Sequence, residues 1–187
     1  MITDRIKWNA RHENRIGFHP TDSYLKKQLT KLKADRVLDL ACGRGRNAFF
    51  LAEQGYKVTG ADISDIGLHM LRSEAKQRDL DIKTVNIDLD HPEILLDTAP
   101  YDSIICINFK PGNNLLGLVS ALLEPEGIFL WCSFNEKQAE VSGFPINMAL
   151  HPEEYINYFP ALQLLEYVRF TDDSGFRDGY LFKKTIA

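Results

Sequence analysis

Two glycines, Gly43 and Gly45, directly follow the run Val37-Leu-Asp-Leu40 and open a stretch with helical spacing. Such a turn sets backbone N–H groups and the positive end of a helix against any ligand seated on it. Glycine permits both the sharp bend and the close approach. A glycine pair alone is more often a plain strand-to-helix loop, but two carboxylates change its meaning. Asp39 lies four residues before Gly43, and Asp62 lies nineteen after it, at the end of a second apolar run. In an open α/β sheet both face the ligand side, beyond the carboxyl ends of the strands. Asp62 can then accept from both hydroxyls of a ribose, and Asp39 suits an ammonium group.

Gly43-Arg-Gly-Arg-Asn-Ala48 also satisfies the permissive G-x-G-x-x-A dinucleotide pattern. An NAD(P)-dependent oxidoreductase is therefore the rival reading. Asp39 has no necessary role beside a pyrophosphate and would repel one at short range. A nucleoside joined to an amino acid, S-adenosylmethionine (SAM), accounts for all three features.

The elements that must carry these residues alternate along the chain. Strands are predicted over 36–40, 57–61, 82–87, 101–109 and 128–134, with helices over 46–54, 66–78 and 113–123 between them. Gly55 closes the first of these helices, and Glu124-Pro-Glu-Gly127 reads as a turn before the fifth strand. Buried runs separated by helices give a parallel sheet covered on both faces. After a short helix expected over 151–158, two strands, 162–170 and 176–182, flank the turn cluster Thr171-Asp-Asp-Ser-Gly175. So close together, they pair as an antiparallel hairpin. The fold class expected is α/β, Rossmann-like, mostly parallel with a carboxyl-terminal antiparallel hairpin. One domain spans 1–187, with an amino-terminal helical lid over 1–35 and a core over 36–187. Thr21-Asp-Ser23 starts a helix within that lid, running to about Lys33.

Composition narrows the partners. The 187 residues carry a formal net charge of −4, with 44% hydrophobic and 26% charged residues. No basic stripe invites nucleic acid or anionic lipid. No apolar run approaches the ~20 residues of a membrane helix, and the start has no signal core. A cytoplasmic protein, monomer or homodimer, with a small-molecule partner and neither nucleic acid nor membrane, is the expectation. Cys42, Cys106 and Cys132 form no Cys-x-x-Cys pair, and the five histidines form no ligand cluster, so no metal site is expected.

The segment Val37-Leu-Asp-Leu-Ala-Cys-Gly-Arg-Gly-Arg-Asn-Ala48, followed by Gly60-Ala-Asp-Ile-Ser64, resembles the class I SAM-dependent methyltransferases. The likeness extends over Asn86-Ile-Asp-Leu89, Tyr101 to Asn108 and Leu122-Leu-Glu-Pro-Glu-Gly127. Trp8-Asn-Ala-Arg11 resembles the W-D-x-R-Y opening of the small tellurite-resistance-type branch, related to thiopurine-type enzymes, except that His12 replaces the tyrosine. The resemblance implies a seven-stranded sheet with the last strand antiparallel. It implies that Asp39 meets the methionine ammonium and that Ala41, Cys42, Gly43, Gly45 and Asn47 line or support the methionine portion. It further implies that Asp62 holds the ribose with Asn86 nearby, that Ile63 and Leu89 pack on the adenine, that Asp88 accepts from its amino group, and that Asn108 stands at the mouth. Trp8 and Arg11 belong to a lid that reaches the cofactor, with Arg5 on the same helical face.

Asn14, Arg15, Phe18 and the stretch Phe144 to Met148 are candidates for the acceptor pocket. Asn108-Phe-Lys-Pro111 lacks the prolines of the N-P-P-Y loop of amide methyltransferases, and Lys110 reads as a solvated charge. His12 and His19 flank the expected entrance and read as surface histidines more readily than as bases. With no persuasive base, a soft acceptor, a thiol or a metalloid oxyanion, suits the sequence, because it needs little or no proton transfer. A SAM-binding module without catalysis is the third reading.

Overall fold

The computed structural model describes residues 2–14, 16–33 and 35–186. Its centre is a seven-stranded sheet in the order β3-β2-β1-β4-β5-β7-β6. The strands are β1 (Arg36–Leu40), β2 (Lys57–Asp62), β3 (Ile82–Asn86), β4 (Tyr101–Ile107), β5 (Leu123–Phe134), β6 (Leu162–Asp172) and β7 (Gly175–Lys184). The pairs among β1 to β5 are parallel, and β7 runs antiparallel between β5 and β6. The expected architecture and its closing hairpin are both present.

Helices α1 (Ile2–Glu13), α2 (Ser23–Gln28), α3 (Arg46–Glu53), α4 (Asp65–Gln77), α5 (Asn113–Leu122) and α6 (Glu136–Ser142) complete the molecule. Alternation along the central strands divides the core in two. Val37, Ile105, Leu130 and Cys132 pack with α2, α3 and α4, while Leu38, Leu40, Cys106, Phe129 and Trp131 pack with α5 and the 151–162 segment. Cysteines 106 and 132 are buried and free, as small core hydrophobes. Each crossover from β1 to β3 leaves helices on one face, and those from β3 to β5 leave them on the other. The winding therefore reverses between β1 and β4, and the crevice outside the carboxyl ends of those two strands is where an open α/β sheet binds ligands.

Four elements differ from the sequence reading. Residues 151–158 form a series of turns rather than a helix. Pro152 withholds an N–H, and Glu153 takes a left-handed φ of 58° that a helix cannot absorb. β5 begins at Leu123, and the Glu124–Gly127 turn is a bulge within it, where the register against β4 shifts. α6 and the 3-10 turn Pro92–Thr98 are short, so their periodicity is weak. Among the described residues no helix is long and apolar enough to cross a membrane.

Candidate cofactor and acceptor site

The turn after β1 bends through three left-handed residues: Ala41 (φ 55°), Gly43 (φ 55°) and Gly45 (φ 86°). Gly45 caps α3, and a Cβ there would stand 2.6 Å from Leu71, so close packing of α3 on α4 also demands glycine. Gly60 on β2 makes room in the same way for the Cys42 thiol, whose sulfur would lie 2.8 Å from a Cβ. Cys42 is buried, and burial pushes its thiol well above the ordinary range, so it contributes shape rather than a thiolate.

Asp62, at the end of β2, ties this turn down. One carboxylate oxygen accepts from the Gly43 N–H at 2.7 Å and the other from the Ser64 N–H at 2.8 Å. Burial raises its pKa, against the opposing effect of those donors. The Ile63 N–H also favours the ionised form, and of the about four acceptor positions of a carboxylate at least one remains for a hydroxyl. Asn86 lies at the neighbouring end of β3, where its side-chain NH2 donates to the backbone oxygens of Asp62 and Ile63, both at 3.1 Å. It is a brace for the β2–α4 junction that carries Ile63.

Asp39 is the second acid, 2% exposed and in register with Ile105 of β4, at the reversal point. The Ala48 N–H donates to it, and its Oδ2 is buried with no hydrogen-bond partner. Burial, then the nearby charge of Asp62, push its pKa up to about 8 against the lowering influence of Arg46 and the Ala48 N–H. An orphaned buried carboxylate oxygen beside a glycine turn fits a bound ammonium, which would meet it and hold it ionised. The donor set and this orphan therefore fit the methionine end of SAM.

Other expected site residues take more structural positions. Asn47 is buried, and its side-chain oxygen accepts from the Asp22 N–H at 3.1 Å, which fastens the segment before α2 to α3. Asp88 is half-buried and Leu89 buried at the end of β3, with Ala41 packed against the same apolar cluster. Arg11 faces outward with its guanidinium 5.1 Å from the Trp8 ring, and Trp8 in turn stacks on His12 at 6.1 Å. Arg11 thus packs on the lid and does not enter the turn.

It is His12 that enters. This side chain is 7% exposed and lies between Gly43 and Gly67, with ring atoms 3.1 Å from where a Cβ on either would stand. Asn9, one turn earlier, accepts from the Ser64 hydroxyl at 2.7 Å and donates to Asp65 at 2.7 Å. α1 is thereby pinned across the turn and the start of α4. The expectation of a surface histidine fails because residues 9 and 12, not 8 and 11, share the face turned to α4. His19 remains exposed, beside the cleft between residues 18–21 and α3.

At the mouth, Asn108 follows β4 with a left-handed φ of 60° and donates its N–H to Cys132 O at 2.7 Å. Lys110, read as a solvated charge, donates instead to Ala149 O at 2.7 Å and pairs with Glu154 at 3.0 Å. Phe144 is half-buried against Phe134, with ring centroids 5.1 Å apart, while Pro145, Ile146, Asn147 and Met148 stay exposed. Asn14 and Phe18 are exposed, and Arg15 lies outside the described residues. Sequence reading missed the ion cluster behind Asn108. Arg177 on β7 is fully buried against Asp22 at 2.7 Å and Asp172, and Arg46 reaches the same Asp22 oxygen at 3.1 Å. An arginine inside the apolar run 176–182 was the available signal.

With that geometry in place, comparison with known proteins is specific. Residues 37–127 match the model of the methyltransferase domain family. The chain is 31% identical over 117 residues to a ubiquinone biosynthesis O-methyltransferase of Coxiella burnetii (strain Dugway 5J108-111), covering 60% of this chain and 48% of the relative. It is 33% identical over 132 residues to the Bacillus subtilis (strain 168) methyltransferase YqeM, covering 66% and 51%. The chain thus spans about half the length of the curated relatives it matches. In fold it is similar to TehB from Haemophilus influenzae, with a TM-score of 0.71 and 21% identity over 92% of this chain and 64% of that one. Residues 37–127 thus resemble a methyltransferase domain, and this stretch carries Asp39, the glycine turn, Asp62 and Asp88.

Proposed function

We propose that the protein transfers the methyl group of SAM to a small-molecule acceptor, with a thiol as the first candidate and a metalloid oxyanion as the second. The observation that carries this reading is the buried, unpartnered Oδ2 of Asp39 beside a glycine turn that Asp62 holds in place. A pyrophosphate would find there a second negative charge, whereas a methionine ammonium finds its counter-ion.

When bound, SAM supplies a methyl on a cationic sulfur: an acceptor lone pair forms the new bond to carbon, and the electrons of the broken C–S bond return to sulfur. The protein's own part is binding and alignment. Asp39 and the turn seat the methionine portion, Asp62 the ribose, and Asp88 and Leu89 the adenine side. α1, held by Asn9 and His12, covers the turn and limits water. Alignment and water exclusion supply ~7–11 kcal/mol in favourable cases. A thiol acceptor leaves its proton to solvent. Within this reading the molecule works as one domain whose lid is α1, while α2 belongs to the core.

Calorimetry with SAM, its demethylated product and NAD tests the cofactor. Binding of NAD without SAM would replace methyl transfer with oxidoreduction. SAM binding with no product across thiols, phenols, amines, tellurite and selenite would make the chain a binding module.

A further inference from the structure

Asn108 has a strained backbone, and its side chain is held from behind. Its Oδ1 accepts from Arg177 Nη1 at 3.2 Å. The same guanidinium donates to Asp22 at 2.7 Å, to the Ser23 hydroxyl at 3.2 Å and to Asp172, and it lies 5.1 Å from the Phe170 ring. Arg177 sits on β7 opposite Phe134 of β5, at the carboxyl end of the parallel strands. Packed this way it has one orientation.

A guanidinium offers donors only, so the part of Asn108 it meets must be the carbonyl oxygen. The carboxamide NH2 is then the end turned away from the cluster, on a half-exposed residue at the β1–β4 crevice. It has no partner among the described residues. The cations nearby are already neutralised: Arg177 by Asp22 and Asp172, Arg46 by Asp22, Lys110 by Glu154. Among these described residues, the mouth therefore presents a hydrogen-bond donor beside cations that already have counter-ions. A multiply charged oxyanion would lose its hydration there without a counter-ion. A protonated amine would set donor against donor.

We infer that Arg177 is a positioning residue that fixes Asn108 as a hydrogen-bond donor to the methyl acceptor, and that the acceptor is an uncharged molecule carrying a sulfur or oxygen lone pair at or beside the methylated atom. This rests on the methyl-transfer reading and revises its acceptor class: the thiol stays, the oxyanion is dropped, and a neutral hydroxyl compound is added.

The test uses the full chain, SAM and four probes: 2-mercaptoethanol, catechol, methylamine and tellurite. Formation of demethylated cofactor is followed for each. Turnover of 2-mercaptoethanol or catechol, with methylamine and tellurite at least tenfold poorer in kcat/KM, is expected. Turnover confined to methylamine or tellurite overturns the inference and leaves methyl transfer standing. SAM binding without any turnover removes methyl transfer and the inference with it.

Asn108→Asp tests the donor, because the Arg177 contact survives as an ion pair while the NH2 is lost. It should fold, bind SAM within threefold of the parent, and raise KM for the better probe at least tenfold with a smaller change in kcat. An unchanged KM overturns the donor role. Arg177→Lys, which retains charge, should recover part of the KM that Arg177→Met loses. If both bind SAM normally with parental KM, Arg177 does not position Asn108.

Discussion

The carboxylate of Asp62 accepts the backbone N–H of Gly43 at 2.7 Å, so the acid meant for the ribose also holds the shape of the glycine turn. Its substitution should therefore cost twice. Asp62→Ala is expected to lower SAM affinity at least a hundredfold, about 2.7 kcal/mol. It should also lower stability by about 1–3 kcal/mol through the orphaned Gly43 and Ser64 N–H groups. Calorimetry and chemical denaturation on the same preparation separate the two losses. Unchanged affinity with reduced stability would make Asp62 purely structural.

Asp39 gives a pH signature. Its folded-state pKa of about 8 lies above the ordinary 3.8, so the folded chain binds the extra proton between those values. Stability from this group is therefore fully present below about pH 4 and is lost as pH rises through 8. Ligand binding runs the other way, because a bound ammonium needs the carboxylate ionised. SAM affinity should climb from pH 6 to 8, with proton release detectable by calorimetry in buffers of different ionisation enthalpy. Asp39→Asn should bind SAM weakly at every pH, without that climb, and should be more stable than the parent at pH 8.5.

Gly43→Ala would force a side chain into a φ of 55° and against His12, 3.1 Å away. Left-handed backbone alone costs a non-glycine residue about 1–2 kcal/mol. The expected result is a destabilised turn and an undocked α1, seen as faster proteolytic cleavage between residues 2 and 20 while the core resists. Cleavage at the parental rate would show that α1 is not held through this contact.

Glu126, by contrast, stands in a left-handed conformation (φ 63°), a backbone that favours glycine. Its ion pair with Lys183 is solvent-exposed on both sides. Such pairs contribute about 0–1 kcal/mol, whereas relieving the backbone returns about 1–2 kcal/mol. Glu126→Gly should raise stability by about 0.5–1 kcal/mol, a shift of about 1–4 °C in Tm, with SAM binding unchanged. A lower Tm would mean that the Lys183 contact outweighs the strain.

The parts legible in the sequence were those written in local code. Asp39, the two glycines and Asp62 lie at strand ends whose apolar runs announce themselves, and the hairpin is marked by Thr171 to Gly175. Trp8 and Arg11 were placed on one face by a spacing of three, but a helix advances so that spacings of three and four both return to a face. The pair actually facing inward, Asn9 and His12, needed the position of α4 to be seen. Asp22 and Arg177 are 155 residues apart, and no local rule connects an N-cap aspartate to an arginine in a strand. The segment 151–158 looked helical because Pro152 stands at an early position, yet the left-handed Glu153 that follows breaks it.

The clamp between Asp22 and Arg177 divides the chain into a part that can be cut away and a part that cannot. Trimming α1 through Glu13 removes a cover held by Asn9 and His12, and every strand keeps its neighbours. Trimming nine residues further, through Asp22, removes the buried carboxylate that Arg177 and Arg46 share, and leaves two guanidinium groups to the single carboxylate of Asp172. The shortest version of this protein that still folds should therefore begin after Glu13 and no later than Asp22.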